Sequence, residues 1–301
     1  MKYKLRHILK GHAGPVYTLL GGPGHGSVYS GSSDGIVAKW NIESGKPEAF
    51  SVRTDKPVFS ILFHGDILLV GQGEGGIHVV DFAAGKEIRF LKYHRLGVFD
   101  MAQVRKENVI LSAGGDGVLC LYDANDFHLL NSIAVSQMKL RCIAVSPDED
   151  QVVVGGSDGH LRIFDAAYFN ELSSIKAHEG GVYSARFLSR TTLVTGGRDA
   201  HLRFWKTGGN GLVETEAVPA HNFAIYDIAF HAEKGLLATA SRDKTAKVWE
   251  LEDLKKPFRL ARNRGEGHTH SVNAVHFSEG GELLVTAGDD RTLIVWEASS
   301  I

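Results

Sequence analysis

Five times in this chain a histidine, a hydroxyl and an acid recur at fixed spacing, followed by a large ring. These side chains can pass hydrogen bonds from one to the next. The sets are His12, Ser30, Asp34 and Trp40; His94, Ser112 and Asp116, closing on Tyr122; His178, Thr195, Asp199 and Trp205; His221, Thr239, Asp243 and Trp249; and His268, Thr286, Asp290 and Trp296. The acid can accept from the histidine and from backbone N–H groups. The histidine can bond the hydroxyl, which can accept the indole proton. A buried Trp or His needs such partners. Each bond contributes roughly 1 kcal/mol net, whereas an orphaned group costs about 1–3. The five histidines are therefore expected to be structural.

The elements that must position these groups are strands. In residues 221–250 apolar side chains recur every second position (Ile228, Phe230; Ala238, Ala240; Ala246, Val248), a strand period. One such sheet cannot bury both its faces and needs copies of itself. Aligned on the turn acid, the copies fall at Asp34, Glu74, Asp116, Asp158, Asp199, Asp243 and Asp290. Six residues later stand Trp40, Val80, Tyr122, Phe164, Trp205, Trp249 and Trp296.

With its Gly-His openings at Gly11-His12 and Gly267-His268, Ala-His at 177–178 and 220–221, and Trp-Asp-like closes, the pattern resembles the WD-repeat β-propeller family across residues 1–301. The resemblance implies an all-β, seven-bladed β-propeller of four-stranded antiparallel sheets, a single domain over 1–301, with repeats ending near 40, 80, 122, 164, 205, 249 and 296. Repeats two and four depart from it. Val52 and Ser136 fall near the histidine position, Val70 and Val154 replace the hydroxyl, and Val80 replaces the Trp. Those blades are expected to lack the relay and to hold by packing. The last repeat leaves no room for an outer strand. Residues 2–9 are expected to supply it, burying Tyr3, Leu5 and Ile8 and closing the ring.

Other motifs lose their usual chemistry in this context. GGPGHG at 21–26 reads as a hairpin connection, and Gly71, Gly73 and Gly76 match GxGxxG without a helix to follow. The GxSxG matches around Ser33 and Ser157 are strand-to-strand turns, not nucleophile elbows. His268 and His270 could pair on a metal, but no further ligand stands at ligand spacing, so no metal and no cofactor are expected. The basic insertion 255–267 is expected to hold the outer strand of blade six, Phe258 to Ala261, then a solvated loop that could touch an acidic partner.

Charge is balanced, 33 basic residues against 35 acidic. That argues against nucleic-acid binding, which needs a basic face. Cys120 and Cys142 lie in predicted strands and MKYKLRHILK is no secretory leader, so a reducing compartment is expected, the cytoplasm, with the nucleus open as well. No apolar run approaches membrane length, so no membrane insertion is expected.

Function should reside in residues that are neither core nor relay. In the family, partners dock on the face bearing the loops before each innermost strand and the acid turns. Here the first exposed strand position reads Tyr17, Phe59, Phe99, Arg141, Tyr183, Tyr226 and Asn273, with Lys139, Arg198 and Arg242 nearby. Aromatics and arginines of this kind favour a protein or peptide partner, the sharper expectation being acidic or phosphorylated residues gripped by Arg. The bland alternative is that the aromatics plug the channel. The resemblance implies a non-catalytic scaffold or adaptor, monomeric within a larger complex. An enzyme with its site in the funnel is the alternative, and a nucleic-acid module a third.

Overall fold

The protein is described by a computed structural model over residues 2–22, 26–208, 211–263 and 266–299. Twenty-eight strands, β1 to β28 in chain order, form seven four-stranded antiparallel sheets. This is the all-β, seven-bladed propeller class that the repeats imply. Two compact units divide the chain. Residues 1–58 and 221–301 carry blades one, six and seven, and residues 59–220 carry blades two to five.

Within each unit the core lies between blades. In the first, Leu9, Val16, Val28 and Trp40 pack on Val285, Leu293 and Val295, joining blade seven to blade one. Blade six meets blade seven through Leu236, Val248, Val272, Ile294 and Trp296. In the second unit Leu69, Val79, Met101 and Tyr122 join blades two and three, and Leu111, Leu121, Val152 and Phe164 join three and four. Blades three and seven thus bury both faces within their units, which is why their strands are rich in Val, Ile and Leu.

β1 (Lys2–Lys10) pairs antiparallel with β28 (Thr292–Ser299), completing the last blade. A register shift at Arg6 changes the face this strand offers. Before it, Tyr3 and Leu5 join the cluster of Trp296; after it, Leu9 joins that of Trp40. The sequence reading gave Ile8 as the third buried residue; in the structure it is Leu9, and Ile8 is exposed. Outside, Lys4 and Arg6 both reach Glu297, at 3.1 and 2.7 Å.

Two further expectations change. The outer strand of blade six, β25, runs Asp253–Leu260, starting well before Phe258. The turn proposed at 21–26 has residues 23–25 outside the described residues, as are 264 and 265 of the basic insertion.

The residue after each turn acid has positive φ: Gly35, Gly75, Gly117 and Gly159, but also Ala200, Lys244 and Arg291. At Gly117 a Cβ would stand 1.9 Å from the Ser136 carbonyl oxygen, so only glycine fits.

Candidate functional site

The five relays are assembled as bonded chains. His Nδ1 stands 2.8–3.1 Å from the turn acid, in the pairs His12–Asp34, His94–Asp116, His178–Asp199, His221–Asp243 and His268–Asp290. His Nε2 lies 2.7–2.8 Å from Ser30, Ser112, Thr195, Thr239 and Thr286. The indoles of Trp40, Trp205, Trp249 and Trp296 donate to those hydroxyls at 2.8–3.1 Å. In blade three Ser112 and the Tyr122 hydroxyl are 3.5 Å apart. Every proton has a place only if Nδ1 carries the ring hydrogen and donates to the carboxylate. Nε2 then accepts from the hydroxyl, whose oxygen accepts the indole N–H.

Burial depresses His94 and His221 below their ordinary value, against the pull of Asp116 and Asp243. For Asp34, Asp199, Asp243 and Asp290 burial works upward. It is outweighed by bonds from backbone N–H groups and from the histidines, and all four lie below the usual carboxylate range. His268 spends both ring nitrogens in its relay, so it has none for a metal with His270.

Blades two and four lack the His–hydroxyl–indole chain, but they are not bare. In blade four Ser136 Oγ donates to Asp158 Oδ2 at 2.8 Å and Arg162 Nη2 donates to the same oxygen at 2.7 Å. Burial again works upward on Asp158, and these bonds bring it down to about 2. In blade two His78 bridges Gln72 and Glu87, at 3.2 and 2.9 Å. The sequence reading missed both arrangements. Arg162, four residues after its acid as Arg203 is after Asp199, was the available signal.

The partner-facing candidates share a backbone device. In the ladders of β2 (Val16–Gly21), β10 (Val98–Val104), β14 (Leu140–Val145), β18 (Val182–Ser189), β22 (Ile225–His231) and β26 (Val272–Phe277) the register skips one residue. The skipped residues are Tyr17, Phe99, Arg141, Tyr183, Tyr226 and Asn273. A bulge re-aims the extra side chain and is a common way to present a group at a site.

In the unit of blades two to five the presented groups form one array. Phe59 and Phe99 are stacked, centroids 5.1 Å apart and 8° from parallel. The Arg141 guanidinium lies 4.5 Å from the Phe99 ring and 5.3 Å from that of Tyr183. Its Nε donates to Ser157 Oγ at 2.9 Å, and the Lys139 ammonium stands 5.7 Å from Phe99. Phe59, Phe99, Arg141 and Tyr183 are half-buried, while Lys139 and Arg198 are exposed. The rings are neither sealed nor fully open.

In the other unit Tyr17 and Tyr226 are half-buried and Arg242 is exposed. Asn273 donates to the Val16 carbonyl and to Asp289. Arg242 lies 6.0 Å from the ring of Phe223, an exposed aromatic the spacing argument passed over. Leu96 and Met138, likewise exposed two residues after the histidine position, were missed for the same reason.

Among the described residues one set could hold a metal, Asp123, Asp126 and His128, with ligand atoms within 4.8 Å of one another. Asp123 and Asp126 already accept the N–H groups of Asn125 and His128 in their turn.

The chain matches the family described as WD domain, G-beta repeat, over residues 3–41, 130–165, 169–206, 213–250 and 262–297. Repeats two and three fall outside those matches. It is 25% identical to the nuclear distribution protein PAC1 of Coccidioides posadasii over 91% of this chain and 64% of that one. It is 44% identical to cell division cycle protein cdt2 of Schizosaccharomyces pombe over 19% of this chain and 12% of that one. It is 31% identical to the tRNA (34-2'-O)-methyltransferase regulator WDR6 of Bos taurus over 27% and 8%. The chain thus spans less than two thirds of the length of these curated relatives. With more than half of its residues matched by the repeat and seven blades built on the same acid turn, the chain belongs to the WD-repeat family.

Proposed function

We propose that this protein is a non-catalytic interaction module that binds an acidic peptide segment, phosphorylated or not, on the face presenting Phe59, Phe99, Lys139, Arg141, Tyr183 and Arg198. The observation that carries this reading is Arg141, held between the rings of Phe99 and Tyr183 and fixed through Nε to Ser157. A guanidinium ordered before binding loses little entropy when it grips a carboxylate or phosphate. Lys139 and Arg198 add exposed positive charge, and the stacked phenyl rings add apolar area.

The hydroxyl, histidine and acid triplets support a non-catalytic role for a physical reason. Ser30, Ser112, Thr195, Thr239 and Thr286 are fully buried, and each hydroxyl is engaged by its histidine, so none can meet a substrate. Free, buried Cys120 and Cys142 fit residence in a reducing compartment.

The test uses fluorescence anisotropy with peptide libraries of matched hydropathy, acidic, phosphorylated or neutral. Acidic sequences are expected to bind the wild type and to lose at least tenfold with Tyr183→Ala, Arg198→Ala. Equal binding by that double variant defeats the reading.

A further inference from the structure

In blade four the slot that holds a histidine in five other blades receives only Ser136. Arg162 reaches Asp158 in its place through Nη2, yet its Nη1 is buried with no acceptor. Beside these groups lies a cavity of 420 Å³ lined by residues 134–138 (Ala134, Val135, Ser136, Gln137 and Met138), Asp158 and Arg162. That volume is in the range of a small-ligand or side-chain pocket. Met138 is half exposed and directly precedes Lys139, so the cavity adjoins the face described above in the chain.

The chemistry of the walls selects the guest. The oxygens of Asp158 are already committed, Oδ2 to Ser136 and Arg162 and Oδ1 to the backbone N–H of His160 at 3.0 Å. Lys176 donates to the Asp158 backbone carbonyl at 2.9 Å, so a second cation stands at the backbone of that residue. What Arg162 lacks is an acceptor for Nη1. Ala134, Val135 and Met138 supply an apolar wall for a short aliphatic stem, and the unbranched thioether of Met138 can adjust to it.

We infer that this cavity seats a glutamate-like side chain of the partner, its methylenes along Ala134, Val135 and Met138 and its carboxylate completing the hydrogen bonds of Arg162. The inference rests on the acidic-peptide reading and names the pocket that reads one residue of it. It makes the missing histidine of blade four a vacancy put to use.

The experiment follows the methyl signal of Met138, one of only three methionines in the chain, in full-length protein labelled with [¹³C-methyl]methionine. The probes are N-acetyl-glutamate N-methylamide and its glutamine counterpart. The Met138 methyl is expected to shift saturably with the glutamate probe and at least tenfold more weakly with the glutamine one. Buried Met101 is expected to stay still. Arg162→Gln is expected to abolish the shift, and Ser136→His, which refills the slot, to abolish it independently. The Tyr183→Ala, Arg198→Ala variant is expected to keep it, so failure of the wider face and failure of the pocket are read separately. An unmoved Met138, equal response to both probes, or full response in folded Ser136→His protein overturns the inference.

Discussion

At the scale of single residues, stability is decided by buried groups that depend on one neighbour each. Thr239 serves both the indole of Trp249 and the ring of His221. Thr239→Val keeps the shape and orphans both, so a loss of about 2–4 kcal/mol is expected in urea denaturation. The pH dependence has a definite sign. His94 and His221 titrate below 6.5 in the folded chain, so the unfolded chain binds protons first as pH falls. Their contribution is complete above about pH 6.5 and is lost below it. The turn acids lowered from 3.8, Asp34, Asp158, Asp199, Asp243 and Asp290, add a second loss below about pH 4. Melting temperatures from pH 8 to pH 3 should therefore fall in two steps. The relay was legible in the sequence because its four residue types keep fixed spacing. His78 was not, because its bonds to Gln72 and Glu87 leave no mark on the repeat, and Arg162 showed only in sharing the spacing of Arg203 from its acid. Nor did spacing reveal Phe223, whose role depends on where Arg242 lies.

At the scale of elements, turns and bulges carry the information that strand period cannot. Lys244 adopts φ of 71° where four other blades use glycine. Relief of a left-handed side chain, worth roughly 1–2 kcal/mol, outweighs the roughly 0.5–1 kcal/mol entropic cost of glycine. Lys244→Gly is thus expected to raise the denaturation midpoint modestly. The amino-terminal strand gives the opposite case. Tyr3 is buried against Phe258, and its hydroxyl finds no acceptor. Tyr3→Phe should be neutral or stabilising, whereas Tyr3→Ala should cost about 3 kcal/mol, measured by urea titration. That this segment would complete the last blade could be read from the sequence. Its buried face could not, since the shift at Arg6 moves the third anchor to Leu9.

At the scale of the whole molecule, a balanced charge conceals a local imbalance. The chain carries 33 basic and 35 acidic residues, yet Lys139, Arg141 and Arg198 gather on blades four and five. Phosphopeptide binding there should weaken steeply between low and moderate salt, while contributions from Phe59 and Phe99 should persist. Isothermal titration at two ionic strengths separates the two. Sevenfold repetition was legible from acids spaced along the chain; the identity of a guest was not, because a fold of this kind hosts many. The seam between β1 and β28 has a consequence for biosynthesis. Lys2 to Lys10 leave the ribosome long before Thr292 to Ser299 exist, so the nascent chain carries a strand without a mate until those residues are made. Pairing so distant in sequence is slow, and until it forms the unpaired edge is open to misassociation.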